Sequence, residues 1–180
     1  MIDWLQIGLE FLGVFVGVIM AFWLDRRGEV SRERKEAVKL LKLIKEELEK
    51  NTGLLDQFRN ELNVPPGQIY LPYYRLQLST WEAISGKMDL IKNDELLVSI
   101  SQAYFNFDMF TRTLERYLDL AYHLVKERSP AAELREQIHR HRLSMIKQVE
   151  EVKNGQKDGI LPFTKKVISR IEDEIKHLDC

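Results

Sequence analysis

Residues Trp4 to Leu24 read WLQIGLEFLGVFVGVIMAFWL, an apolar run in which Glu10 is the sole charged side chain. As a helix rising about 1.5 Å per residue, the run is about 30 Å long, the thickness of a hydrocarbon core. A helix that is apolar all round needs a protein interior or lipid around it. Trp4 and Trp23 stand near the two ends, where indole rings favour the membrane interface. The run therefore predicts a transmembrane helix rather than a buried helix of a globular core. A cleaved signal peptide fits less well. Met1-Ile2-Asp3 carries no basic residue, the apolar stretch is long, and no small-residue cleavage site follows it.

The flanks orient this helix. Arg26, Arg27, Arg32, Arg34 and Lys35 follow it, while Asp3 precedes it with no Lys or Arg. The positive-inside rule then places the N-terminus outside and the C-terminal domain in the cytoplasm, with the cell inner membrane as the location. Lys and Arg number 27 against 28 Asp and Glu, a net charge of -1, so no basic excess points to nucleic acid. Cys180 is the single cysteine, which excludes an intramolecular disulfide and fits a reducing compartment.

One face of the membrane helix differs from the rest. Gln6, Glu10, Gly13, Gly17 and Ala21 recur at spacings of three and four, which places them on one stripe. Leu9, Leu12, Phe15, Val16, Ile19 and Phe22 cover the faces suited to lipid. Gly13-x-x-x-Gly17, extended by Ala21, lets identical helices approach closely, so a homo-oligomer is expected. Glu10 lies about 6 Å from the middle of the span. A carboxylate facing lipid there costs a few kcal/mol, so it must face a partner or water, or carry a proton. In one reading Glu10 hydrogen-bonds across a helix interface, for instance to Gln6 of a neighbour. In the other, a ring of Glu10 side chains lines a cation-conducting pore.

The remainder reads as all-α. Residues 1–25 form the transmembrane helix, 26–63 a long juxtamembrane helix continuous with it, and 64–180 the rest of a cytoplasmic helical bundle. Ala37, Leu41, Ile44, Leu48, Leu55, Phe58 and Leu62 follow a heptad pattern that Asn51 completes as its polar member. Such a seam serves either a coiled coil between subunits or the core of a bundle. Val38, Leu40, Leu43 and Leu54 widen it, which favours the bundle. Asn63-Val64-Pro65-Pro66-Gly67-Gln68 breaks the helix. A helix is expected from about Pro72 to a cap at Gly86, and a third long one from an Asn93 or Asp94 cap to about Arg128. Pro130 opens a polar outer helix to about Lys153, and Pro162 a last helix to about Leu178.

No catalytic constellation emerges, and the chain reads as a non-enzyme without cofactor or metal. His139 and His141, two apart on a helix, point to different faces; His123 and His177 stand alone. There is no phosphate loop, Cys pair or His-Glu-x-x-His. Asp89, Asp94 and Glu95 suit helix capping, and the bundle core looks apolar throughout. The expected partners are the lipid bilayer, further copies of the chain and a cytoplasmic protein.

Glu10, GVIMAFWLDRRGE, LLKLIKEELEKN and SGKMDLIKNDELLVSISQAY from Ser85 to Tyr104 together give the chain a resemblance. It resembles a family of small single-pass bacterial membrane proteins with a helical cytoplasmic domain and no assigned activity. The likeness covers about the first two thirds of the chain. It departs at Leu24-Asp25-Arg26-Arg27, where the family has an Asn/Trp-rich run. The resemblance implies this topology and a helical domain, and nothing catalytic. By residue chemistry alone, Ser85 to Leu96 reads as a helix end, a buried Met88/Leu90/Ile91 anchor and a new N-cap.

Overall fold

The computed structural model describes residues 4–62, 75–127, 132–150 and 159–179, without the side chains of 4–11, 62, 124–127 and 132. The described secondary structure is entirely helical. Helix α1 runs unbroken over Trp4–Leu62, 59 residues. After it come α2 (Ser79–Ile84), a turn of 3-10 helix (Ser85–Leu90), α3 (Asp94–Glu127), α4 (Ala132–Glu150) and α5 (Ile160–Asp179). The expected break at Asn63–Gln68 and the start at Pro130 lie outside the described residues.

Two regimes share α1. Every described side chain from Leu12 to Glu36 is exposed. Beginning at Ala37, the helix buries Ala37, Leu41, Ile44, Leu48, Leu55 and Phe58 in the core of its own chain. The heptad seam is thus a bundle face, and the coiled-coil reading of it is corrected. Leu43, expected to widen the seam, is exposed, whereas Val38 and Leu40 are buried.

Helix α5 lies antiparallel along α1, α3 packs against both α4 and α5, and α4 also touches α5 and α1. The register is written in ion pairs: Lys165 reaches Asp56 at 3.4 Å and Lys45 reaches Glu172 at 2.7 Å. Phe58 meets Phe110 of α3 edge-on, with centroids 5.1 Å apart. From α3, the buried Ile100, Tyr104, Phe107, Phe110, Leu114 and Tyr117 complete the core. Asn93 caps α3 as expected: its Oδ1 accepts the Leu96 N–H at 3.1 Å, and its Nδ2 donates to Glu174 of α5 at 2.8 Å.

The structure corrects several expectations. Residues 75–78 are not helical, and α2 starts only at Ser79, so the helix expected from Pro72 to Gly86 is replaced by a short strap. Gly86 lies inside the 3-10 turn rather than at a helix end. Of the Met88/Leu90/Ile91 anchor, Ile91 is buried and the other two are half-exposed. Helix α4 is mostly polar, yet it sets Ile138, Met145 and Val149 into the core. Nor is that core apolar throughout, for Glu47, Asn51, Thr52, Arg142 and Thr164 are buried in it.

Among the described residues, no helix is long and apolar enough to cross a membrane. The described side chains of the Trp4–Leu24 run begin at Leu12, and the apolar stretch they form ends before Asp25, Arg26 and Arg27. That portion is shorter than a bilayer core requires; residues 4–11 enter as helix backbone.

Candidate functional site

The residues singled out from sequence all lie on α1. The side chains of Gln6 and Glu10 lie outside the described residues. Ala21 is exposed, and a Cβ added at Gly13 or Gly17 would meet no atom of the chain within 4 Å. The structure therefore leaves Gly13, Gly17 and Ala21 uncovered by the chain's own bundle. At about 100° of rotation per residue, the stripe lies roughly 160° around the helix from Ala37, Leu41, Ile44 and Leu48. The bundle sits on one side of α1 and the stripe on the other. The stripe continues down the long helix through Gly28, Lys35, Lys42, Glu46, Glu49 and Gly53, all exposed. One open ridge thus runs along α1 from Gly13 to Gly53, small in the apolar part and charged beyond it.

Around this ridge the apolar surface is bare. Val14, Phe22 and Leu24 are 68%, 73% and 62% exposed, and Phe15, Val18, Ile19 and Met20 stand open beside them. Few soluble surfaces present so continuous an apolar cylinder, because its area in water carries a large unfavourable free energy. The Arg27 guanidinium lies 5.1 Å over the Trp23 ring, where the apolar stretch gives way to charge. A second uncovered strip lies on α3, where Val98, Phe105 and Met109 share a face and are exposed.

Sequence reasoning missed a polar cluster where the strap crosses α1. Asn51 Nδ2 donates to the Gln77 carbonyl at 2.7 Å, and the Gln77 N–H donates to Asn51 Oδ1 at 2.8 Å. One turn earlier, Glu47 Oε2 accepts the Thr80 N–H at 2.8 Å and the Ser79 hydroxyl at 3.2 Å. Glu47 thereby caps α2 from another helix, doing what Leu78, at the N-cap position, cannot. Trp81 stacks on Tyr104 with centroids 4.7 Å apart and planes at 20°. Burial, followed by the neighbouring Glu47 carboxylate, pushes the Tyr104 hydroxyl far above the usual phenol range.

Asn51 was visible in the sequence as the polar member of an apolar seam. Glu47 carried no such signal, resembling any carboxylate of a Lys- and Glu-rich helix until the strap buried it. Chemically the cluster holds backbone in place: Asn51 Oδ1 and Glu47 Oε2 accept amides of the strap, Glu47 Oε1 is buried without a hydrogen-bond partner among the described residues, and the phenol is kept neutral. Among the described residues no group of His, Cys, Asp and Glu is arranged to hold a metal ion. His123, His139 and His177 are exposed and His141 half-exposed. His139 Nδ1 lies 3.3 Å from the buried Arg142 on the same helix.

No protein-family model, no curated protein and no solved structure matches this chain.

Proposed function

We propose that this chain is a single-pass, homo-oligomeric membrane protein that holds a helical bundle off the cytoplasmic face of the inner membrane. The observation that carries this reading is the bare apolar cylinder of Leu12 to Leu24. It belongs to a helix that continues without a break into the bundle core. Lipid is the surrounding that removes such a surface from water on all sides. The exposed segment 25–36 then acts as a stalk of about 18 Å between bilayer and bundle. The resemblance to small single-pass membrane proteins agrees with this arrangement.

The charges along the ridge favour a tethered scaffold or sensor, recruiting a cytoplasmic partner, over a cation channel. If the stripe faced a central axis, Lys35, Lys39 and Lys42 would follow it to the mouth and repel entering cations. Conduction remains the second reading, on the strength of Glu10 within the apolar run. In reconstituted vesicles it requires cation flux that falls in Glu10→Gln.

The single cysteine makes topology directly testable. In intact spheroplasts a membrane-impermeant maleimide is expected to leave Cys180 unlabelled until the membrane is lysed. The protein should also stay in the pellet after alkaline carbonate washing. Labelling of intact cells would reverse the orientation, and release by carbonate would remove the membrane reading itself.

A further inference from the structure

The stalk of α1 groups some of its charges by face, although Arg32 lies beside the acidic residues, three positions from Glu29 and four from Glu36. Asp25, Glu29, Glu33 and Glu36 follow one ridge at spacings of three and four, while Arg27 and Arg34, one heptad apart, lie on another. All six are exposed, and along residues 25–36 no ion pair forms among the described residues. An isolated solvated helix gains from opposite charges three or four apart and loses from like charges at that spacing. Here Asp25–Glu29–Glu33 place like charges four apart. Arg27 has Trp23, Leu24, Val30 and Ser31 at those spacings, and Arg34 has Val30, Ser31, Ala37 and Val38. Neither arginine can be neutralised within its own helix, and neither can Asp25 or Glu33.

The two ridges flank the open stripe from opposite sides. At about 100° per residue, Arg27 and Arg34 lie roughly 90° to one side of the Gly13–Gly17–Ala21 line, and the acidic ridge roughly 115° to the other. We infer that the stalk is the pairing surface between parallel copies of this chain, with Arg27 and Arg34 of one copy set against the acidic ridge of the next. This inference rests on the membrane reading, since a shared bilayer holds neighbouring α1 helices parallel and in register. At that register Arg27 is level with Asp25 and Glu29, and Arg34 with Glu33 and Glu36. Below the stalk, the bundle-facing line of Ala37, Leu41, Ile44 and Leu48 lies roughly 60° from the arginine line and 95° from the acidic ridge, and opposite the open stripe. Because a basic flank meets an acidic one, the contact is head-to-tail, with the same two flanks meeting at every interface.

Charge reversal and rescue test this with the full-length protein in nanodiscs or mild detergent, its mass read by native mass spectrometry. Arg27→Glu with Arg34→Glu is expected to raise the subunit dissociation constant by about tenfold or more. Asp25→Lys with Glu29→Lys and Glu33→Lys should do the same. The chain carrying both sets should recover the wild-type mass, which a merely misfolded variant would not do. Helix content by circular dichroism should stay constant across the set. A monomeric wild type, reversals that leave the mass unchanged, or a combined variant that stays dissociated would each overturn the pairing. Carbonate extraction of the same variants keeps the two readings apart: release into the supernatant would defeat membrane insertion, whereas retention with unchanged mass would defeat only the stalk contact.

Discussion

Tyr104 illustrates how one side chain ties pH to stability in this bundle. It is 3% exposed, stacked against Trp81 of the strap, and its hydroxyl has no hydrogen-bond partner among the described residues. Burial, reinforced by Glu47, raises its pKa above the ordinary 10.0. The unfolded chain therefore releases this proton first as pH rises. The neutral phenol costs nothing below about pH 10, and stability falls progressively as pH climbs beyond that value. Tyr104→Phe should move the midpoint of alkaline unfolding upward while changing stability at neutral pH by less than about 1 kcal/mol. Phenolate absorbance and circular dichroism followed through one titration check this. An alkaline midpoint identical to the wild type would mean that Tyr104 ionises freely in the fold.

At the scale of elements, the strap over 75–80 is held by its backbone more than by its side chains. Both Gln77 backbone groups are bonded to Asn51, and the first turn of α2 is capped by Glu47. Replacing Asn51 with Leu matches the apolar seam on paper yet strands a donor and an acceptor of Gln77. The expected loss is about 2 kcal/mol, or about 4–8 °C in Tm. Amide exchange should accelerate first at Gln77 and Thr80, ahead of α3 and α5. A Tm equal to or above the wild type would show Asn51 to be an unneeded polar interruption. By contrast, the Lys45–Glu172 pair between α1 and α5 is exposed to solvent. The hydrogen bond between them lowers the Glu172 pKa and raises that of Lys45. Its contribution is present between the ordinary glutamate and lysine pKa values, fading at the acid end as Glu172 protonates and at the alkaline end as Lys45 loses its proton. As a surface pair it adds little to stability, and its larger effect is on helix register.

For the whole molecule, the division along α1 makes a simple demand. No described side chain from Leu12 to Glu36 is buried against the bundle, so the bundle does not depend on the apolar run for its core. A chain beginning at residue 25 should keep its helical signal and its thermal transition within about 2 °C, and should no longer need detergent. Collapse of that truncated chain would mean that residues 4–24 pack on the bundle in solution.

The readings that depended on local pattern were legible in the sequence. Apolar periodicity marked α1 and α3, Pro162 marked α5, and Asn93 announced a cap, because helix formation and capping depend on neighbours three or four residues away. Pro162 lies within the first turn of α5, which begins at Ile160. Only the tertiary structure decided that the heptad seam faces its own chain, since the pattern is the same for either partner. It alone turned residues 75–78 away from helix, through bonds to Asn51 on another element. And it alone set the bundle opposite the open ridge of α1, because that placement depends on contacts with residues more than a hundred positions distant in the chain, such as Asp56 with Lys165.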